Sequence, residues 1–70
     1  MPGSTICVND EQEPLHAATL EALLAEKAVD TAQRGIAVAV NGAVVPRAAW
    51  RDTALRAGDR VEIVRARQGG

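Results

Sequence analysis

Ile36-Ala37-Val38-Ala39-Val40-Asn41-Gly42 is the segment that leaves this chain the fewest choices. Its first five residues put Ile36, Val38 and Val40 on one side and two alanines on the other. That is the period-two pattern of a half-buried strand. Asn-Gly follows at once, and both residues tolerate the positive φ that a two-residue type I′ turn demands, so the chain doubles back. Ala43-Val44-Val45 starts the return strand, and Pro46 ends it because proline has no amide to give to a ladder. A strand pair with one apolar side must bury that side against another element.

The cover for it is readable upstream. Thr19 has the character of a helix N-cap, with Glu21 in the first turn near the positive end of the dipole. Leu20, Leu23, Leu24 and Ala28 fall at i, i+3, i+4 and i+8 and form one apolar stripe, and the helix is expected to fade near Val29-Asp30. Residues 31–35 read as a loop, punctuated by Gly35. Before the helix, Thr5-Ile6-Cys7-Val8-Asn9 is a β-branched strand and Asn9-Asp10-Glu11-Gln12 is turn-like. Residues 13–16 read as a short return strand, in which Pro14 suits an edge position. Downstream, Ala48-Ala49-Trp50 reads as one helical turn, Ala57-Gly58-Asp59 as a turn and Arg60-Val61-Glu62-Ile63-Val64 as the last strand.

The order β-β-α-β-β-β predicts an α+β fold: a mixed sheet of about five strands with one helix packed on one face. Right-handed crossover makes the strands holding Ile6 and Val61 parallel neighbours. Ile6, Val8, Leu20, Leu23, Leu24, Val38, Val40, Val61 and Ile63 are the expected core. Residues 1–64 form the domain, and residues 65–70 form a polar tail, expected to be mobile, that ends in two glycines.

Seventy residues make one domain, which buries only roughly 60% of its unfolded surface. Such a chain encloses no deep pocket, which favours a binding module, carrier or subunit over a self-sufficient enzyme. The 47% hydrophobic content is almost all Ala, Val, Leu and Ile, and Trp50 is the only aromatic residue. With a net charge of −1 and no Phe or Tyr, nothing marks a nucleic-acid or membrane surface. Cys7 is the only cysteine, so no internal disulfide can form, as is usual in a reducing compartment. Met1-Pro2-Gly3-Ser4 does not begin a signal peptide, and no apolar stretch approaches the roughly 20 residues of a membrane span, so the expected location is the cytoplasm.

Side chains that could carry chemistry are sparse. His16 is the only histidine and has no second His or Cys at metal-site spacing, so no metal is expected. Cys7 is either a small buried hydrophobe in mid-strand or a reactive thiol. Asp10, Glu11 and Glu13 read as a solvated hairpin tip rather than a paired-carboxylate site. Trp50 either plugs the sheet edge or anchors a partner. Gly69-Gly70 lacks Cβ atoms and fits a narrow channel. Residues 65–70 extend to roughly 20 Å, enough to thread a carboxylate into another protein. Alone, that tail could equally be a frayed terminus.

Taken together the motifs resemble the thiamine-biosynthesis sulfur carrier family. The resemblance runs from Ile6-Cys7-Val8-Asn9 through Thr19-Leu20 and Leu23-Leu24 to Val38-Ala39-Val40-Asn41-Gly42. It continues through Val45-Pro46-Arg47, Trp50, Leu55 and Gly58-Asp59-Arg60-Val61-Glu62-Ile63-Val64 to Gln68-Gly69-Gly70. Two departures are minor: Asp10 follows Asn9 where Gly is more usual, and Gln33-Arg34-Gly35 is a plain loop. The small subunit of molybdopterin synthase also ends in diglycine, but its members are longer and richer in Phe.

The resemblance implies a β-grasp, ubiquitin-like fold and a role as cosubstrate rather than enzyme. It implies that a ubiquitin-activator-like enzyme uses ATP and magnesium to adenylate the Gly70 carboxylate. A sulfur donor, such as a cysteine desulfurase or a persulfide carrier, then converts it to a thiocarboxylate, which gives sulfur to thiazole synthase. The chain itself would bind no cofactor. Arg60, Glu62 and Arg65, taken to alternate with core positions on the last strand, are the expected docking contacts on the sheet face away from the helix, joined by Arg67, Gln68 and Gly69 in the tail. The alternatives are a carrier for molybdopterin or another sulfur-containing metabolite, a ubiquitin-like modifier joined to lysine, and a regulatory domain.

Overall fold

The computed structural model describes residues 4–30 and 34–65. The elements are β1 (Thr5–Val8), β2 (Glu11–Pro14), α1 (Leu20–Glu26), β3 (Ile36–Val40), β4 (Ala43–Val45), a 3-10 helix (Arg47–Asp52) and β5 (Arg60–Arg65). The strands form one sheet in the order β2-β1-β5-β3-β4. β1 and β5 run parallel with Cys7 beside Arg60 and Val8 beside Val61, as expected from the element order. Every other neighbouring pair is antiparallel.

Two tight turns build the outer strands. Asn41 and Gly42 take φ of 53° and 86°, the expected type I′ pair. The first hairpin differs from the sequence reading. Asn9 and Asp10 take φ of 49° and 69°, so the turn is only two residues, and β2 begins at Glu11 and ends at Pro14 rather than spanning 13–16. Asn and Asp both enter the left-handed region at modest cost, so a second Asx residue serves where glycine is usual. The Leu15 N–H donates to the Ser4 carbonyl at 2.9 Å, and the alternation of antiparallel bonds then turns Pro14 outward. β2 is an edge strand, and its proline sits where no donor is needed.

Thr19 caps α1 as its sequence position suggests: its φ and ψ are extended, and its Oγ1 accepts from the Ala22 N–H at 3.2 Å. The helix stops sooner than its apolar stripe implies. The Ala28 N–H donates to Ala25 O at 3.0 Å and the Val29 N–H to Leu24 O at 2.9 Å, with Ala28 at φ 59°. This is a Schellman ending with alanine in the left-handed position. Ala28 is therefore exposed, and Val29 is the residue buried against the core.

The 3-10 helix is longer than the single turn expected at 48–50. It places Trp50 under the sheet edge at 2% exposure, with Nε1 donating to Val45 O at 2.8 Å and the Arg47 guanidinium 4.9 Å from the ring centre. The plug, not the exposed anchor, is its role. The chain then runs beside the helix start, where the Leu20 N–H donates to Thr53 O and the Leu55 N–H to Ala18 O. The core lies between α1 and one sheet face. Of the expected residues, Ile6, Val8, Leu20, Leu23, Leu24, Val38 and Val61 are buried, and Val40 and Ile63 pack at its margin. Ala17, Val29, Trp50 and Leu55 complete it. Each large apolar side chain buried there contributes roughly 1.5–3 kcal/mol. Among the described residues no helix is long and apolar enough to cross a membrane.

Candidate functional site

β5 lies in the middle of the sheet and immediately precedes residues 66–70 in the chain. Side chains alternate along a strand. Val61 and Ile63 turn to the helix side, and Arg60, Glu62 and Val64 to the open side. Arg65 shares the parity of Val61, so it does not share a face with Arg60 and Glu62 as the sequence reading had it. It pairs with Ile36 at the end of β5 and lines a groove with Val8, Glu11, Val29 and Ile63. The last strand thus includes Arg65, one residue past its expected end at Val64, because β3 still pairs at that point.

The open face is shallow and partly apolar. The cross-strand register aligns Glu62 with Ala39 and Val44, and Val64 with Ala37. The two alanines form a floor between Val44, 74% exposed, and Val64, 61% exposed. Among the described residues no polar side chain interrupts that strip, which Glu62 and then Arg60 border. Further along, Cys7 pairs with Arg60 and Gln12 with Cys7, continuing the face to the β2 edge. Cys7 is half-buried on this side and is a free thiol rather than a core side chain. Sequence reasoning found the charged members of this face and missed Val44 and Val64. One signal was available: with Val44 and Val45 adjacent in a strand, one of the two must face outward.

β5 is held by the two turn asparagines. At its start the Arg60 N–H donates to Asn41 Oδ1 at 3.0 Å, and the Asn41 N–H donates to Arg60 O at 2.7 Å. Asn41 Nδ2 donates to Asp59 Oδ1 at 3.0 Å, while Asp59 Oδ2 accepts from the Arg56 N–H at 2.8 Å. Between them Gly58, at φ 88°, closes the turn and donates to Thr5 O. Further along β5 the Ile63 N–H donates to Asn9 Oδ1 at 2.8 Å.

The remaining candidates are quiet. His16 is exposed, Glu13 pairs with Lys27 at 2.5 Å, and no group of metal-ligating side chains occurs among the described residues. Arg67, Gln68, Gly69 and Gly70 lie outside the described residues, and so does the expectation of a mobile tail from Arg65 onward, except at Arg65 itself, which is paired with Ile36 in β5.

The sequence from residue 3 to residue 70 matches the ThiS family. The chain belongs to that family. Solved structures agree with this assignment. The chain superposes on the crystal structure of a thiamine biosynthesis protein, ThiS, from Geobacter metallireducens with a TM-score of 0.76. The two are 29% identical, over 94% of this chain and 99% of that one. The solution structure of a thiamine biosynthesis protein from Geobacter metallireducens gives a TM-score of 0.75 at 29% identity, over 94% of this chain and 87% of that one. The comparison with curated proteins gives no match. The five-stranded mixed sheet with its single helix is the β-grasp arrangement expected of a ThiS-family chain.

Proposed function

We propose that this ThiS-family chain is a sulfur carrier for thiamine biosynthesis and that its reacting group is the Gly70 carboxylate. The observation that carries the reading is the family match, which runs through Gly69 and Gly70. The carboxylate is ionised at neutral pH and is a poor electrophile, so it must be activated before sulfur can replace oxygen. One carboxylate oxygen attacks the α-phosphorus of ATP in an activating partner, and pyrophosphate leaves. A sulfur nucleophile then attacks the acyl-adenylate carbon, and AMP leaves. Hydrosulfide gives the thiocarboxylate directly. A protein persulfide gives an acyl disulfide first, and a second thiol cleaves its S–S bond, ending in a mixed disulfide with the donor. The thiocarboxylate then supplies sulfur to thiazole formation.

In this reading the chain acts as a cosubstrate. ATP, magnesium and the nucleophiles belong to its partners: an adenylating enzyme, a sulfur donor and a thiazole synthase. What the chain contributes is a narrow arm and a face to dock on. The strip Ala37, Ala39, Val44 and Val64, bordered by Arg60 and Glu62, is the surface on which we place the activating enzyme. Incubation with that enzyme, ATP, magnesium and a sulfur donor tests the reading by intact mass. The chain should gain the mass difference of sulfur for oxygen, and a variant extended by one alanine after Gly70 should not. Equal thiolation of the extended variant would overturn the assignment to Gly70.

A further inference from the structure

Asn41-Gly42 is the only Asn-Gly pair in the chain, and the pairing that suits a type I′ turn is also chemically labile. The amide nitrogen of the residue after an asparagine can attack the side-chain carbonyl carbon. Glycine leaves that nitrogen unshielded, because it has no Cβ. The other asparagine, Asn9, is followed by Asp10, whose side chain crowds the same amide. At Asn41 the fold holds the reaction back in two ways. Ring closure needs Gly42 N eclipsed with Asn41 Cβ, and the type I′ turn, with φ of 53° and 86°, sets them nearly opposite. The carboxamide is also tied at both ends to the start of β5. Its Oδ1 accepts from the Arg60 N–H at 3.0 Å, and its Nδ2 donates to Asp59 Oδ1 at 3.0 Å. The Asn41 N–H adds a bond to Arg60 O at 2.7 Å. Yet both turn residues are exposed, and no described atom lies within 4 Å of where a Gly42 Cβ would stand. Opening the turn therefore displaces no packed side chain, and water has free access to it.

We propose that Asn41 is a self-modification site restrained by the fold, and that its conversion to an acid unclamps the start of β5. When the turn opens, Gly42 N bonds to Asn41 Cγ, the Cγ–Nδ2 bond breaks, and ammonia leaves with the Gly42 amide proton. Water then adds to either carbonyl of the resulting succinimide, giving aspartate or isoaspartate. No oxidant or reductant takes part, and the chain stays unbroken. Aspartate puts a carboxylate oxygen where Nδ2 stood, 3.0 Å from Asp59 Oδ1. A hydrogen bond becomes a like-charge contact. Asp59 Oδ2 already accepts from the Arg56 N–H at 2.8 Å, so Asp59 cannot swing away without loosening the turn that precedes β5. Isoaspartate adds a main-chain carbon and takes Asn41 out of register with Arg60. A copy that has once opened and reacted thus closes less firmly than before.

The test follows wild type at mildly alkaline pH, folded and in guanidinium chloride, by intact mass and peptide mapping. The reaction is read as the mass difference between a hydroxyl and an amino group. The unfolded chain should react at Asn41 about tenfold faster or more than the folded one, since the folded chain reacts only through local opening. Asn9 should change little in either. Two variants test the consequence. Asn41→Asp, the reaction product, should unfold at lower denaturant than wild type. Adding Asp59→Asn puts a donor opposite the new carboxylate and should recover most of that loss. Equal rates in the folded and unfolded chains would overturn the restraint, and no mass gain at Asn41 in the unfolded chain would overturn the site itself. Wild-type stability in Asn41→Asp, or a double variant no more stable than the single one, would overturn the unclamping.

Discussion

The two faces of the sheet are built from the same five strands and are made for different purposes. The helix side carries Ile6, Val8, Val38 and Val61, each at most 6% exposed, under α1 and Trp50. The open side carries Ala37, Ala39, Val44 and Val64, two of which are strongly exposed. On β3 the contrast lies within one strand, where large β-branched residues alternate with alanines. Strand interiors favour β-branched residues on either face, so the alanines are not what stability alone would select. The helix side fixes the fold, and the open side keeps a shallow apolar floor beside the strand that leads to Gly70.

The strongest test of that division is Leu24→Ala. Leu24 is fully buried in the helix stripe, and truncation there costs about 2–5 kcal/mol. A small domain of this size holds about 5 kcal/mol in total, so urea unfolding should show most of the protein's stability gone. A loss under about 1 kcal/mol would mean that the helix side is less decisive than its burial implies. The second test is the open-face pair Val44→Asp with Val64→Asp. Aspartate is a poor strand former, so the pair should cost about 1–2 kcal/mol while the protein stays folded. Affinity for the activating enzyme, measured by calorimetry, should fall about tenfold or more, as for the loss of apolar contacts at an interface centre. Unchanged affinity would move the docking surface elsewhere.

Much of this division was legible in the sequence because its signals are local. The Asn41-Gly42 turn, the Thr19 cap and the alternation in β3 and β5 each act within a few residues. What escaped depends on contacts between distant segments or on departures from a common residue choice. Asp10 stands where glycine usually marks the turn, so the first hairpin read as looser than it is. Ala28 fits the helical stripe by spacing, but the bond from the Val29 N–H to Leu24 O closes the helix before it. Trp50 left its role open because the carbonyl it reaches, that of Val45, comes within range only when the 3-10 helix folds against the sheet. Arg65 was given the wrong face against a signal that was present, since period two counted from Arg60 and Glu62 puts it with Val61 and Ile63. Gly69 and Gly70, the proposed reacting end, are singled out only through family resemblance, since two glycines carry no pattern of their own.

Ala28→Gly sharpens the comparison at the rim of the helix side. A non-glycine residue in the left-handed region costs roughly 1 kcal/mol, and Ala28 has no compensating burial. Glycine keeps both closing hydrogen bonds and should raise stability by up to about 1 kcal/mol, with Val29 still seated on the core. Chemical denaturation decides it, and a destabilised variant would show that the methyl group matters after all.

Ala39→Val should give the smallest shift and the most informative one. Ala39 lies between Val44 on β4 and Glu62 on β5, on the open face of an interior strand. Valine there improves strand propensity and forms an aliphatic cross-strand pair with Val44, together about 0.5 kcal/mol of added stability. The same two methyl groups fill the shallow floor and push Val44 outward. If the alanine is retained for docking, the variant should unfold at higher denaturant yet bind the activating enzyme several-fold more weakly. Stability and binding then move in opposite directions, as expected where a site is held below its stability optimum. A variant that gains stability and binds as well as wild type would leave Ala39 without a docking role and confine the contact to the exposed valines.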